Sequence, residues 1–327
     1  MPDTNGRDRA GVNDQKSSSR RTGGQVVCDS MVAEGVTVIF GMPGGASLPF
    51  YDALYHYQDR IRHVSIRHEQ AAGYFMEARR DGCRLPNLPE YCRPDDEIDA
   101  YLVQDQFVST MLHESAGNIV GYKAGCTNVT AQEQLGLSSP FAGRLLSAFV
   151  RTSPAIILSD DGFMRMIEAE IGFRLGLDLP GTTRPYTAES VGPALATIFG
   201  AIEVVDSRYE DWTTAGASQL IADNACTGFW VHGKEVSDVM CVDLTNHPVQ
   251  VYRNGLSAEI GNSANVLGNP KNVVAWLANH LVNRGNYLRS GQFITTGTMI
   301  AVNGACLLYT SDAADEGLGV DLGGRRI

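Results

Sequence analysis

Ile167-Glu168-Ala169-Glu170-Ile171-Gly172-Phe173 alternates apolar and acidic residues with a period of two, the pattern of a strand whose successive side chains point to opposite faces. Ile167, Ala169, Ile171 and Phe173 then face a core, and Glu168 and Glu170 share the other face. Two carboxylates held that close repel unless a cation sits between them. Carboxylate oxygens are hard ligands that suit Mg²⁺ or Mn²⁺. An isolated Glu-x-Glu is more often a solvated strand face, so the meaning of this pair depends on what flanks it.

Upstream lies Gly121-Tyr122-Lys123-Ala124-Gly125-Cys126-Thr127. Downstream lie Ala201-Ile202-Glu203-Val204-Val205-Asp206-Ser207-Arg208 and Ile221-Ala222-Asp223-Asn224-Ala225. In this order and at these separations the blocks resemble the fumarylacetoacetate hydrolase superfamily. Within it they are most similar to the 2-keto-4-pentenoate (2-oxopent-4-enoate) hydratases and the 4-oxalocrotonate decarboxylases, over residues 98–305. The resemblance implies an α+β fold dominated by a mixed, curved β-sheet roll. It implies one divalent metal, Mg²⁺ or Mn²⁺, held by Glu168, Glu170 and Glu203, with Lys123 facing the substrate. A lone Lys is otherwise usually a solvated surface residue; here glycines on both sides of its short strand allow close backbone approach.

The implied activity is that of a divalent-metal lyase of aromatic catabolism. It hydrates a 2-hydroxypenta-2,4-dienoate (2-keto-4-pentenoate) to a 4-hydroxy-2-oxo acid, so the partner is a small 2-oxo or 2-hydroxy-dienoic acid. Decarboxylation of a 2-oxo diacid is the alternative on the same fold. Three carboxylates leave open positions on an octahedral ion for a bidentate 2-oxo acid, and a metal there can stabilise a developing enolate. Lys123 would bind the substrate carboxylate or exchange a proton with the substrate. In Gly291-Gln292-Phe293-Ile294-Thr295-Thr296-Gly297-Thr298, a strand entering a Gly turn, the resemblance puts the Thr296 hydroxyl and the Gly297 amide beside the substrate carboxylate as candidate donors; an ordinary turn is the alternative. Asp223 and Asn224 either line the pocket or brace a loop with Asx hydrogen bonds. Asp206 and Arg208 read as a structural ion pair. One departure bears on the reaction: several hydratases carry an acidic residue just after the Pro of the segment 132–142, implicated in handling the attacking water. Phe141 and Ala142 follow Pro140 here.

The chain has 327 residues, 43% hydrophobic and 19% charged, enough for a soluble globular protein with a sizeable core. A net charge of −11 argues against nucleic acid or an anionic membrane surface as partner. No apolar run approaches the roughly 20 residues of a membrane span. The seven cysteines are odd in number and form no Cys-x-x-Cys, which favours reduced thiols in a cytoplasm. The family resemblance further implies a homo-oligomer.

Taken in order, the chain reads as several unrelated pieces. Residues 1–24 are polar and rich in Gly, Ser and Arg, a disordered tail with no signal-peptide character. Residues 25–80 hold a buried-strand candidate, Val36-Thr37-Val38-Ile39-Phe40, the turn Gly41-Met42-Pro43-Gly44-Gly45 and a helix around 48–57. Val64-Ser65-Ile66-Arg67-His68-Glu69-Gln70-Ala71-Ala72 follows. This run resembles the start of a thiamine-diphosphate enzyme of the acetolactate synthase type, in which Glu69 would bond the aminopyrimidine ring. The resemblance stops near Arg80, and the Gly-Asp-Gly…Asn signature that holds the diphosphate is absent from the sequence. Thiamine diphosphate binding and carboligation are therefore disfavoured, and Glu69 reads as a vestige. Residues 81–97 read as a Pro- and Asp-rich junction, and the hydratase family's usual N-terminal helical part is expected to be missing.

Beyond the junction, residues 99–116 have helical spacing, with Ala100, Val103, Phe107 and Met111 on one face. Thr187 is a candidate cap for a helix over 188–199 that Gly192-Pro193 shortens or kinks. Val249-Gln250-Val251-Tyr252 leads to a hairpin turn at Asn254-Gly255. Residues 272–284 form a helix with Val273, Trp276, Leu277 and Leu281 inward. Cys306-Leu307-Leu308-Tyr309-Thr310-Ser311-Asp312-Ala313-Ala314-Asp315-Glu316 reads like one frame of a sequencing adaptor, so 306–327 are set aside as a non-native tail. On that reading the family's closing strands are missing, and an inactive chimera is a further alternative.

Overall fold

The computed structural model describes residues 21–41, 46–114, 116–158, 161–164, 166–300 and 303–304. Most of the expected tail 1–24, the turn residues 42–45 and the segment 306–327 lie outside the described residues. The chain forms two compact units, Met1–Ile66 and Arg67–Ile327.

In the first unit, α1 (Gly23–Ala33), β1 (Val38–Gly41), α2 (Leu48–Leu54) and β2 (Arg62–Ser65) follow one another. Thr22 caps α1 through a reciprocal box with Gln25, which satisfies amides that the first helical turn leaves open. β1 and β2 pair in parallel, so the chain must cross over between them, and α2 provides that crossover. The core is small: Cys28, Ala53, Leu54, Tyr57 and Ile61.

The second unit contains α3 (Ile66–Asp81), which belongs to it from Arg67 onward, then α4 (Glu97–His113), β3 (Ile119–Gly125), α5 (Val129–Leu135) and β4 (Phe141–Leu146). After these come β5 (Val150–Thr152), β6 (Met166–Leu175), α6 (Ala188–Val191), β7 (Leu195–Val205), α7 (Trp212–Ala215), α8 (Ala217–Ala222) and β8 (Phe229–His232). The remaining elements are β9 (Pro248–Arg253), β10 (Leu256–Asn262), α9 (Pro270–Asn283), β11 (Phe293–Thr295) and β12 (Asn303–Gly304). One sheet organises them, in the order β4-β3-β11-β6-β7-β8-β5, with β12 also on β6. It is mixed, parallel at β3–β11 and β5–β8 and antiparallel along β6–β7–β8. This is the α+β roll that the sequence implies.

The sheet's two faces divide as the alternation in β6 predicts. Ile171, Phe173 and Leu175 join Tyr122, Ala124, Ile198 and Ile294 in a core covered by Val273, Val274, Leu277 and Leu281 of α9. The opposite face carries Glu168, Glu170 and Gly172. Gly172 is required by packing: a Cβ there would lie 2.2 Å from the Phe199 ring. Farther along this face Phe199, Trp230 and Phe293 form a cluster with Leu145 and Ala201, and the Trp230 indole donates to Thr295 Oγ1 at 3.0 Å.

A second core lies between helices. Ala71, Ala72, Phe75 and Met76 of α3 pack with Val103, Phe107 and Met111 of α4 and with Leu220 and Ala222 of α8. The Phe75 ring meets Phe107 at 5.1 Å and Tyr209 edge-on at 5.9 Å. Arg67 and His68, part of the thiamine-type block, both reach Asp99 of α4 at 2.5 Å. The stretch 82–96 is knitted in as well: Leu85 bonds the backbone around Tyr209 in both directions, and Leu88 and Cys92 are fully buried.

Three local expectations hold and two do not; of the latter, β1, expected as a buried strand over 36–40, leaves Val38 and Phe40 exposed. Ala100, Val103, Phe107 and Met111 are all buried, and β9 and β10 turn at Asn254-Gly255, both in left-handed geometry. α9 runs as read, with Trp276 only half-buried. The helix expected over 188–199 is confined to Ala188–Val191, capped by Thr187 as expected. Gly192-Pro193 ends it, and Leu195 onward is strand β7. Both faces of that strand are buried over Ile198–Val204, so no alternation marks it in the sequence.

Candidate metal centre

Three strands bring four charged side chains together. Glu168 and Glu203 stand directly opposite each other across β6 and β7, and Glu170 follows on the same face two residues along. Ligand oxygens of the three glutamates all lie within 4.8 Å of one another. Lys123, on β3, donates from Nζ to Glu203 Oε1 at 2.5 Å and to the Ala225 carbonyl at 2.9 Å. Lys123, Glu170 and Glu203 are 3%, 1% and 0% exposed, whereas Glu168 is half-buried.

The bonding is incomplete, and this bears on a cation. Both oxygens of Glu170 and Oε2 of Glu203 are buried without a hydrogen-bond partner among the described residues. Buried carboxylate oxygens normally find donors, and three acids with a single ammonium leave excess negative charge. Burial and the Glu203 charge push the Glu168 carboxyl up to about 7, with Lys123 opposing. Burial, followed by Glu203 and Glu168, raises Glu170 well above the carboxylate range. Burial also raises Glu203, against the pull of Lys123. Lys123 itself is raised: burial alone would lower it, but Glu203 and Glu168 outweigh that and keep it charged. An all-oxygen, anionic, under-bonded cluster fits a hard divalent ion such as Mg²⁺ or Mn²⁺. Glu168, Glu170 and Glu203 could hold it.

The Ala225 carbonyl reaches Lys123 because of an unusual turn. Asn224, Ala225 and Cys226 all have positive φ, at 49°, 57° and 55°. Left-handed geometry at non-glycine residues is costly and persists only where surroundings enforce it. Asn224 is anchored by both ends of its amide to the Arg144 backbone, at 2.8 and 3.0 Å. Gly143, opposite Lys123 in the β3–β4 pair, leaves the room: a Cβ there would sit 2.6 Å from the Asn224 carbonyl oxygen. Neither the turn nor the role of this carbonyl was evident from sequence, although Asn is the residue type that most readily enters such geometry.

The other candidates fall in different places. Asp223 is fully buried and accepts from the Arg208 backbone at 2.9 Å and from its Nε at 2.5 Å. Of the two readings of Asp223-Asn224, these contacts are those of a brace. Arg208 pairs with Asp206 at 3.9 Å as expected, and more closely with Asp223; the Asp206 carboxylate also accepts from the amides of Phe163 and Met164 at 2.6 Å. Thr296 is buried and its hydroxyl donates to the Ile171 carbonyl at 2.7 Å. Gly297 has φ 89°, and its amide lies beside the Glu170 carboxylate without completing a hydrogen bond. Phe141 and Ala142 are buried on β4. Glu69 is half-buried in the first turn of α3.

Comparisons with known proteins give the family. Residues 126–318 match the fumarylacetoacetate (FAA) hydrolase C-terminal family, and residues 21–79 match the thiamine pyrophosphate enzyme N-terminal TPP binding domain. The chain is 34% identical over 242 residues to the TodF product hydratase of Pseudomonas putida, covering 74% of this chain and 88% of that one. It is 33% identical to a 2-keto-4-pentenoate hydratase of Burkholderia vietnamiensis, covering 76% and 93%. Its fold matches 4-oxalocrotonate decarboxylase from Pseudomonas putida G7, complexed with magnesium and adipate, with a TM-score of 0.69 at 28% identity, covering 74% and 90%. The chain belongs to the fumarylacetoacetate hydrolase family, and its hydratase relatives lie at about a third identity. A match of 242 residues is longer than the stretch 98–305. The match therefore extends beyond the bounds 98–305 of the resemblance. Among the described residues no helix is long and apolar enough to cross a membrane.

Proposed function

We propose that this protein is a divalent-metal-dependent lyase that hydrates 2-hydroxypenta-2,4-dienoate-type acids to 4-hydroxy-2-oxo acids. The observation that carries this reading is the trio Glu168, Glu170 and Glu203, with three buried carboxylate oxygens left without partners. A bound Mg²⁺ or Mn²⁺ would supply positive charge to the oxo and carboxylate oxygens of a chelated 2-oxo acid. Lys123, kept protonated by its acidic neighbours, is suited to bind a substrate carboxylate or to hand over a proton from Nζ, and poorly suited to act as a base. The 224–226 turn fixes that ammonium through the Ala225 carbonyl. Lys123, Glu170 and Glu203 are buried, and the low local dielectric strengthens the interactions among them.

One observation favours a second reading. Phe141 and Ala142 put apolar side chains where several hydratases carry an acid for the attacking water, and both are buried. Decarboxylation of a 2-oxo diacid needs the same metal and lysine without that water. The test is the Mg²⁺-dependent loss of 2-hydroxypenta-2,4-dienoate absorbance with the full chain, beside a Glu168→Ala/Glu170→Ala control. Loss that the control abolishes supports hydration. A Mg²⁺-binding protein that leaves the dienoate untouched but releases CO₂ from a 2-oxo diacid establishes the decarboxylase instead.

A further inference from the structure

Four threonines, Thr127, Thr295, Thr296 and Thr298, cluster around the loop that follows β11, and three of their hydroxyls are engaged. Thr295 accepts from Trp230, Thr296 donates to the Ile171 carbonyl at 2.7 Å, and Thr298 donates to the Ile300 carbonyl at 3.1 Å. Thr127 differs. It is 2% exposed, and its Oγ1 is buried with no partner among the described residues. A hydroxyl removed from water without a partner is destabilising, so an unbonded one points to a ligand that completes it.

Its position agrees. Thr127 follows Cys126, whose φ of 55° turns the chain after β3, and its carbonyl is fixed by the Leu267 amide at 2.9 Å. The hydroxyl then lies against Gly297, where a Cβ would come within 2.0 Å of Oγ1. With φ at 89° and this contact, position 297 admits only glycine. Gly297 in turn adjoins the Glu170 carboxylate. That carboxylate does not satisfy Thr127, since both its oxygens are unpartnered too. A free donor therefore stands at the edge of a cluster whose own oxygens suit a cation.

Resting on the lyase reading above, we propose that Thr127, and not Thr296, donates the side-chain hydroxyl hydrogen bond to the carboxylate of the bound 2-oxo acid. The Thr296 hydroxyl is already committed to Ile171, whereas that of Thr127 is free and preset by the Gly297 contact.

The test is calorimetric and uses the full chain. Mg²⁺ is titrated alone, then oxalate, a planar mimic of a 2-oxo acid, is titrated in the presence of Mg²⁺. Thr127→Ala should bind Mg²⁺ as the wild type does and bind oxalate roughly 10- to 100-fold more weakly, as expected for a lost hydrogen bond to a charged group. Thr127→Ser should restore oxalate binding. If Thr127→Ala does not fold, Thr127→Val carries the same comparison with the side-chain volume kept. Unchanged oxalate affinity in these variants overturns the proposal alone, and so does lost Mg²⁺ affinity, which would make the residue structural. A wild-type chain that takes up Mg²⁺ but no oxalate overturns the lyase reading together with it.

Discussion

Two buried charge clusters sit close together in the second unit, and they differ in one respect. Around Arg208, the guanidinium and the Asp223 carboxylate are both fully buried, and the donors and acceptors are matched: Nε and the backbone amide to Asp223, Nη2 to the Asp223 carbonyl at 2.9 Å, and Nη1 to the Thr227 carbonyl at 3.3 Å. Around Glu170, three carboxylates share one ammonium, and several of their oxygens have no partner among the described residues. Burial and charge are common to both, so neither distinguishes a brace from a site. Completeness of bonding does. A satisfied cluster holds the chain together, and an unsatisfied one awaits a ligand.

The contrast is sharpest where a single charge is removed. Glu170→Gln or Glu203→Gln should abolish Mg²⁺-dependent turnover, while the Mg²⁺-free Glu170→Gln protein melts at the same temperature or higher, because the Glu170 carboxylate has no partner to lose among the described residues. A marked fall in its melting temperature would show Glu170 to be structural and break the contrast. The matching change on the other side, Arg208→Ala, strands Asp223 and should cost about 3–5 kcal/mol in denaturant unfolding. A cost near zero would show that the Arg208 cluster is not the brace its bonding suggests.

A smaller effect is expected from pH. The Glu168 carboxyl rises from 4.5 in the unfolded chain to about 7 in the fold. The native state then holds more protons than the unfolded state between those values, so the contribution of Glu168 to the stability of the Mg²⁺-free protein is fully present below 4.5 and is lost as pH rises through 7. Metal binding runs the other way, since ligand carboxylates must be deprotonated. The gain in melting temperature from added Mg²⁺ should therefore grow as pH passes upward through 7. Melts with and without Mg²⁺ on both sides of that value check it. A gain independent of pH would remove Glu168 from the ligand set.

What the sequence made legible follows from how local each signal is. Glu168 and Glu170 declare themselves by a period of two within one strand, and their order relative to Lys123 and Glu203 supplied the rest. The Arg208–Asp206 pair was legible because the two are near in sequence, while the closer partner, Asp223, arrives only through the packing of α8. The Ala225 carbonyl stayed hidden because a backbone group has no sequence signature, and three consecutive left-handed residues are set by tertiary anchors at Arg144 and Gly143. The strand at Ile198 and Phe199 was read as helix because burial on both faces erases alternation. Thr296 was read as a candidate donor, but nothing in the sequence tells a hydroxyl committed to a backbone carbonyl from a free one.

Helix α3 shows how two kinships can meet in one element. Nearly all of it falls within residues 21–79, which match the thiamine-enzyme family, yet Ala71, Ala72, Phe75 and Met76 fill the core beside α4. A helix answers to its neighbours only through the face it offers, and an apolar stripe at the right spacing serves whatever its ancestry. The seam between the two families consequently does not coincide with the edge of the compact unit, which begins at Arg67. Cutting the chain at residue 81, where the resemblance changes, would strip that stripe away from Phe107 and Tyr209; a fragment that keeps it has to begin no later than Arg67, where the compact unit starts.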